Sequence, residues 1–535
     1  NNVKTATVTL SNRGQEPCTV NSMQLRQSVM TPGDIEITSA PPVPFTIDRQ
    51  GQPNSQVQVE LTFAPTHPGN HKSYLWFNTT DPDLQMGGWD CQMNSGGVIN
   101  PGQACVPVSG SADEGTIAVV PSELDFGVVT IGCASPELRV TVYNLGGIAL
   151  TISRIYLDDP NGPFQFTYAP ATPHTLNGGA TVELRLRYVP TASVSDRATL
   201  YIESDASNTQ LLAVPLFGRG TTTDSQHDIF HQPEQVMSDV LFVVDNSGSM
   251  SEEQNALASN FSSFINYALT LNVSFQIGVI TTEVNDAETN IGNPARDIYP
   301  GVLVQAPGRP KIITNNTPDI TGAFADNARV GTCCSDEQEA GLEAAWMALS
   351  PGYIDEPSKN GGFLREDAKL YIIFLSDEQD QSQGDPDFYV DFFSSIKGYR
   401  NTERMAASAI VGDDPNGCGN GTAESGSRYI EVANRTGGIF QSICSSNWAQ
   451  ALQNLGLDAF AAIREFPLSR PADSGTITVT VDGQNVPKAS CNDCDACADG
   501  WVYYPDTNTI CFGANYVPGR GATIEVDYTA VCLTP

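Results

Sequence analysis

One stretch, Asp239–Met250 (D-V-L-F-V-V-D-N-S-G-S-M), limits what this chain can fold into more than any other. Leu241 to Val244 is an uninterrupted apolar run, the signature of a central parallel strand buried on both faces. Such a strand implies an open α/β sheet, and open α/β sheets bind ligands at the carboxyl ends of their strands. The run delivers Asp245, Ser247 and Ser249 into that position. One carboxylate and two hydroxyls at alternating positions can face a single point. All three are hard oxygen donors, suited to Mg²⁺ rather than to zinc or copper.

Further elements fit the same sheet. Asp239–Val244 reads as its first strand, Glu252–Leu271 as a helix with apolar residues at helical spacing, and Val273–Ile280 as a second strand. The segment Asp336–Leu349 reads as helical. Lys369–Leu375 and Met405–Val411 are two more buried strands, with helices near Phe388–Tyr399 and Tyr429–Asn434. Gly438–Ile443 is a last strand and Trp448–Ile463 a final helix. Strands alternating with helices predict a mostly parallel sheet covered on both faces.

The Asp-x-Ser-x-Ser pattern after a buried strand resembles the metal-ion-dependent adhesion site of von Willebrand factor type A (VWA) domains, including integrin inserted domains. That resemblance implies a threonine in a later loop and an aspartate after a later strand. Thr332, in Val330-Gly331-Thr332, and Asp377, in Ser376-Asp377-Glu378, match in chain order and context. It further implies a site holding Mg²⁺ (or Mn²⁺ or Ca²⁺) with one position open for an Asp or Glu carboxylate of a partner protein. Two departures stand out. Glu378 takes the place of a frequent glycine, followed by Gln379 and Asp380; this acidic stretch offers a contact to the ion through a water or through another ligand, a separate Ca²⁺ site with Asp385 and Asp387, or a solvated acidic loop, the reading expected for 378–380. Cys333 and Cys334 follow Thr332 directly. The span from the metal loop through the C-terminus resembles VWA proteins of predatory and gliding bacteria, on FVVDNSGSM, FQIGVITT, FLSDE and FPLS…ITVTVDG.

Before this unit lies an internal repeat. Lys4–Leu25 aligns without a gap to Pro136–Leu157, each with alternating apolar residues, Asn-x-Gly, and a second alternating run. VQVELTFAPTHPG from Val57 matches TVELRLRYVPTAS from Thr181, and each copy closes on a short strand ending in glycine, Val106–Gly110 and Ala213–Gly218. Short strands between Pro, Gly and Asn turns predict immunoglobulin-like sandwiches over 1–112 and 113–221. The turn pattern resembles ASH/HYDIN-type and "choice-of-anchor" repeats of bacterial surface proteins. The second copy opens with a strand, Leu124–Val129, that has no counterpart in the first. Either an upstream segment or strand donation by another chain is expected to complete it.

The organisation that follows is two sandwiches, a polar linker Thr221–Gln235 opening an α/β unit over 222–465, and a β-rich tail over 466–535 with an Asp-Gly hairpin signal at Asp482-Gly483. Thirteen cysteines without zinc-finger spacing point to an oxidising compartment. Cys418 and Cys444 are the expected disulfide of the α/β unit. Cys91 and Cys105 in the first copy, and Cys491, Cys494, Cys497, Cys511 and Cys532 in the tail, are further candidates. The odd total leaves one unpartnered, and Cys18 is the candidate.

Charge and motifs exclude several functions. A net charge of −34 repels nucleic acid and anionic membranes, and no apolar run spans a bilayer. His67-x₃-His71 and His227-x₃-His231 have zinc spacing but lie outside helices. There is no Gly-x-Ser-x-Gly elbow, phosphate loop or His-Glu-x-x-His, so the chain reads as a non-enzyme. The expected protein is an extracellular, bacterial cell-surface adhesin with its metal site carried on sandwich spacers. The rival expectation is a structural subunit of a surface filament or appendage.

Overall fold

The computed structural model describes residues 4–27, 34–64, 69–81, 85–86, 100–112, 114–284, 299–332, 339–398, 404–494 and 496–534. Most elements are strands, gathered into seven sheets, with six helices among the described residues. None of those helices is long and apolar enough to cross a membrane.

The two repeats are two-sheet sandwiches built on the same corner. Asn12 donates from Nδ2 to the carbonyls of Glu16 and Ile47, and its Oδ1 accepts from Gly14 N. Asn144, its aligned residue, does the same with Ile148, Leu176 and Gly146. The Asn-x-Gly of each copy is therefore a turn whose side chain satisfies backbone groups that the turn leaves unpaired. The closing strands, Gln103–Ala112 and Leu211–Thr221, run past the predicted ends at Gly110 and Gly218, and glycine is needed inside them for a steric reason. A Cβ at Gly110 or Gly218 would stand 2.8 Å from the ring of Phe63 or Tyr188.

The copies differ in completeness. In the second, Ile117–Val120 pairs with Leu138–Asn144, and Leu124–Thr130 runs parallel along Leu211–Thr221. Leu124, Phe126 and Val129 are thereby buried with Val140 and Val142. In the first, Lys4–Ser11 pairs only with Gln56–Phe63 and forms the edge of its sheet among the described residues. Val8 and Leu10, aligned with Val140 and Val142, remain half-buried.

Residues 237–459 form the predicted α/β unit. We label β1 Met237–Val244, α1 Ser251–Thr270, β2 Ser274–Thr281, β3 Ile313–Thr314, α2 Ile320–Ala328, α3 Gly341–Leu349, β4 Lys369–Leu375, α4 Pro386–Ser395, β5 Met405–Val411, α5 Ser427–Arg435, β6 Phe440–Ser442 and α6 Trp448–Ala459. The sheet order is β3-β2-β1-β4-β5-β6, parallel except for β3. β1 and β4 are central and buried on both faces, as continuous apolar runs require. The apolar sheet faces open onto two clusters, one with α1, α2 and α6 and the other with α3, α4 and α5. Both β3 and α2 escape the sequence reading. The pairing of β3 is two residues long, and α2 carries Gly322 and Asn327, poor helix formers held by tertiary contacts.

Two predicted boundaries are corrected. The final helix ends at Ala459, four residues before Ile463. The supposed linker contains a strand, Ser225–His231, that pairs antiparallel with Thr523–Thr529 of the tail. Its alternating pattern was hidden by polar residues because it is an edge strand with one face in water. The tail's Asp482-Gly483 turn has positive φ at both residues, as its hairpin signal requires.

Disulfides complete the architecture. Cys418 pairs with Cys444, Cys491 with Cys497, and Cys494 with Cys511. Cys532 bridges to Cys133 in the second sandwich. The two ends of a 399-residue separation meet because Ala134 and Leu533 form a β-bridge there and Arg470 donates to Thr223 O and Thr130 Oγ1. The second sandwich also packs on α4. Tyr143 OH donates to Asp391 at 2.7 Å, Arg139 pairs with the same carboxylate at 3.2 Å, and the Tyr143 ring meets Phe388 edge-on. Cys105 is disulfide-bonded and Cys18 is free. Cys91, Cys333, Cys334, Asp336, Tyr399 and His67 lie outside the described residues.

Candidate functional site

The site begins where β1 ends. Val244 lies beside Thr281 of β2 and Leu375 of β4, so the chain leaving β1 enters a crevice between two neighbouring loops. Asp245 N donates to Leu375 O at 2.9 Å. Its carboxylate is buried and held from two sides: Oδ1 accepts from Ser247 N at 2.7 Å and Oδ2 from Ser376 Oγ at 2.6 Å. Ser247 Oγ and Ser249 Oγ stand 3.1 Å apart. Both hydroxyls favour the ionised form of the Asp377 carboxyl.

Asp377 follows β4 and is buried, with Oδ1 enclosed and without any hydrogen-bond partner. A buried carboxylate oxygen without a partner is costly. Burial pushes the Asp377 carboxyl above the usual carboxylate range, against the pull of Ser249 and Ser247. Burial raises Asp245 too, opposed by its Ser376 and Ser247 bonds and aided by the charge of Asp377. Glu253, in the first turn of α1, adds a second enclosed and unpartnered carboxylate oxygen close enough to feel Asp377.

A third loop reaches the crevice through Gln254. Its Nε2 donates to Asp245 O and to Gly331 O, both at 2.9 Å, and its Oε1 accepts from Gly331 N. Gly331 has φ +93°, a conformation that favours glycine. This tie brings the Gly331 loop to Asp245, but the next residue, Thr332, is exposed. Of the five expected ligands, the structure thus gathers Asp245, Ser247, Ser249 and Asp377, with Thr332 one residue beyond the tie.

Sequence reading missed Glu339. It is buried and accepts a hydrogen bond from Thr282 Oγ1, which also reaches Asn246 Oδ1, next to Asp245. Burial, then the charge of Asp245, pushes Glu339 up to about 9. The available signal was a carboxylate two residues before a helix that starts beside the metal loop, which periodicity does not weigh.

The acidic loop after Asp377 is otherwise committed. Asp380, a candidate for contact to the ion through a water, pairs with Arg428 at 2.9 Å and accepts from Leu342 N and Ser382 Oγ. It holds the first turn of α3 and neutralises Arg428. Glu378 forms a tight turn with Ser376 and adds negative potential at Glu339. Asp385 caps α4, and Asp387 pairs with Arg435 at 2.6 Å. His227 bonds to Asp527 across the linker strand, and His71 faces Asp34. In the tail, Glu465, Cys494 and Cys511 come together, but the two sulfurs are joined to each other.

One contrast defines the site's chemistry. Asp239 and Asp380, also buried in this unit, each have an arginine. Among the described residues Asp245, Asp377 and Glu339 have no Lys, Arg or His partner, only hydroxyls and amides. Buried like charges without a cation are unfavourable, and the unpartnered Asp377 oxygen is the clearest vacancy in their bonding. An all-oxygen donor set of carboxylates and hydroxyls fits a hard divalent cation.

No family model matches the chain, and no curated protein matches it. Among solved structures, the chain is similar to a protein of unknown function from Porphyromonas gingivalis W83, at 13% identity and a TM-score of 0.18, over 41% of this chain and 91% of that one. It is similar to an ASH/PapD-like domain of human CEP192 at 12% identity and 0.16, over 20% of this chain and 87% of that one. Proximal thread matrix protein 1 from the mussel byssus gives 16% and 0.26, over 44% and 49%. Scores this low carry no argument about this chain.

Proposed function

We propose that the chain is an extracellular, cell-surface adhesin of the VWA kind, binding a carboxylate of a partner protein through a divalent cation, Mg²⁺ in the first instance. The observation supporting this most is the convergence of Asp245, Ser247, Ser249 and Asp377 at the end of β1, where among the described residues the carboxyls have no basic partner and an enclosed Asp377 oxygen has no hydrogen-bond partner. When bound, the ion would supply an electrophilic position for an acidic side chain of the partner. Asp245 would anchor it, Ser247 and Ser249 would donate through hydroxyls, and Asp377 would meet it through its unpartnered oxygen. The sandwiches would act as spacers, and the disulfides suit an oxidising, extracellular setting. Nothing in this reading calls for catalysis.

The test is retention of partner protein from surface extracts on the immobilised chain. Capture in Mg²⁺, release by EDTA and no capture by Asp245→Ala are expected; capture indifferent to both would refute the reading. A second reading, subunit of a surface filament or appendage, is favoured by one observation: the uncovered edge of Lys4–Ser11, where the second copy has Ile117–Val120. It requires assembly that persists in EDTA and in Asp245→Ala.

A further inference from the structure

The loop that the resemblance assigns to Thr332 sends a different side chain inward. We propose that Glu339, and not Thr332, is this loop's contribution to the cation site, which becomes a three-carboxylate site. The inference rests on the metal-site reading above and concerns which residues hold the ion.

Three observations carry it. Thr332 is exposed, whereas Glu339 is buried and its carboxyl shares Thr282 Oγ1 with Asn246 Oδ1, the residue next to Asp245. Glu339 is also held in place: Thr282 Oγ1 donates to its carboxyl, Ala340 N to Thr282 O at 3.2 Å, and Gln381 N to Glu339 O at 2.7 Å. Finally, among the described residues this buried acid has no basic partner, although the same unit provides Arg365 and Arg428 for its other buried acids. The unpartnered Asp377 oxygen independently marks the crevice as a place for a cation.

The three carboxyls do not all lie within 4.8 Å of one another. A single ion would therefore be held by some of them directly and by the others through bound water, which both hydrated Mg²⁺ and Ca²⁺ accept. Three carboxylates around a dication leave the occupied site negative. Ion retention rises with that charge count, and the pull on a partner's carboxylate falls below that of a site built with a threonine.

The test is calorimetric titration of the full chain with Mg²⁺ and, separately, Ca²⁺, for wild type, Asp245→Asn, Glu339→Gln and Thr332→Val, with melting curves in EDTA and in saturating ion. Glu339→Gln keeps shape and hydrogen bonding but removes the charge. We expect it to weaken binding by about 10- to 100-fold, while Thr332→Val stays within about threefold of wild type, as an exposed side chain off the ion should. In EDTA, Glu339→Gln should melt at or above wild type, because a buried ionisable group that must take up a proton on folding is gone; in saturating ion it should gain less. Binding abolished by Asp245→Asn and weakened by Thr332→Val, yet untouched by Glu339→Gln, overturns the assignment and leaves the metal site standing. Uptake of neither ion by wild type overturns both. Should Glu339→Gln fail to fold, Thr282→Val, which frees the Glu339 carboxyl without touching Asp245, must weaken ion binding or the assignment fails.

Discussion

The two ends of strand β1 carry the same residue in opposite circumstances. Near the amino end, Asp239 is fully buried and its carboxylate takes Arg365 N at 2.6 Å and Arg365 Nε at 2.7 Å. At the carboxyl end, Asp245 is as deeply buried and, among the described residues, is held by Ser376 Oγ and Ser247 N without a basic side chain. The amino end is also where the rest of the molecule is fastened. Ser238 Oγ donates to Ala459 O at the end of α6, Tyr371 OH binds Asp458 at 2.6 Å, and the strand before β1 belongs to the tail sheet. The comparison separates a charge that serves folding, neutralised in place, from charges left uncompensated where a loop crevice can admit a ligand.

The largest effect should come from breaking the compensated end. Arg365→Ala strips buried Asp239 of its paired guanidinium, leaving only the nearby Lys397, and should cost about 3–5 kcal/mol in denaturant unfolding. Replacing both partners, Asp239→Asn with Arg365→Met, should recover most of that loss. Opening the Cys133–Cys532 bridge, by the double Ser variant, should cost roughly 2–4 kcal/mol of resistance to unfolding of the second sandwich and tail. It should leave ion affinity unchanged, because the bridge fastens the tail and not the crevice. The same bridge joins 133 directly to 532, so tension applied between residues 4 and 534 bypasses the α/β unit. Force spectroscopy in oxidising conditions should show no extension from residues 134–531 until reductant is added.

At the uncompensated end the sign reverses. Asp245→Asn should be neutral or mildly stabilising in EDTA, and should lose the gain of about 2.7 kcal/mol that wild type receives at 100 times Kd of ion, read as Tm with and without Mg²⁺. The smallest effect concerns Lys397, buried beside the Asp239–Arg365 pair, with Nζ donating to Arg365 O at 2.5 Å. Burial lowers its pKa from 10.5 to about 8. A base held below its unfolded value costs stability wherever the folded form must still carry the proton, here below about pH 8, and that cost is relieved as pH rises from 8 to 10.5. Stability of wild type relative to Lys397→Met should therefore rise across that interval, by roughly 2 kcal/mol, and be flat from pH 6 to 7.5.

Much of this was legible in the chain. Leu241–Val244 and Lys369–Leu375 are apolar without alternation, which only a doubly covered strand tolerates, and both lie at the sheet centre. The Asn-x-Gly repeats gave the sandwich corners because an amide that bonds two carbonyls and a glycine amide is a local device. Cys418 and Cys444 were legible because they close a short loop on one unit. Less visible were β3, two residues long, and Ser225–His231, whose pairing partner lies some 300 residues later and whose polar face hides its alternation.

Local sequence, then, determined which segments become strands and that Asp245, Ser247 and Ser249 leave the sheet together, since these follow from side-chain periodicity and loop spacing. Tertiary structure decided which acids acquire an arginine, that Asp380 goes to Arg428 while Glu339 turns in toward Asp245, and that Cys532 reaches Cys133. Those outcomes depend on distances between residues far apart in the chain, and charge compensation in a buried crevice is settled only when every neighbour is in place.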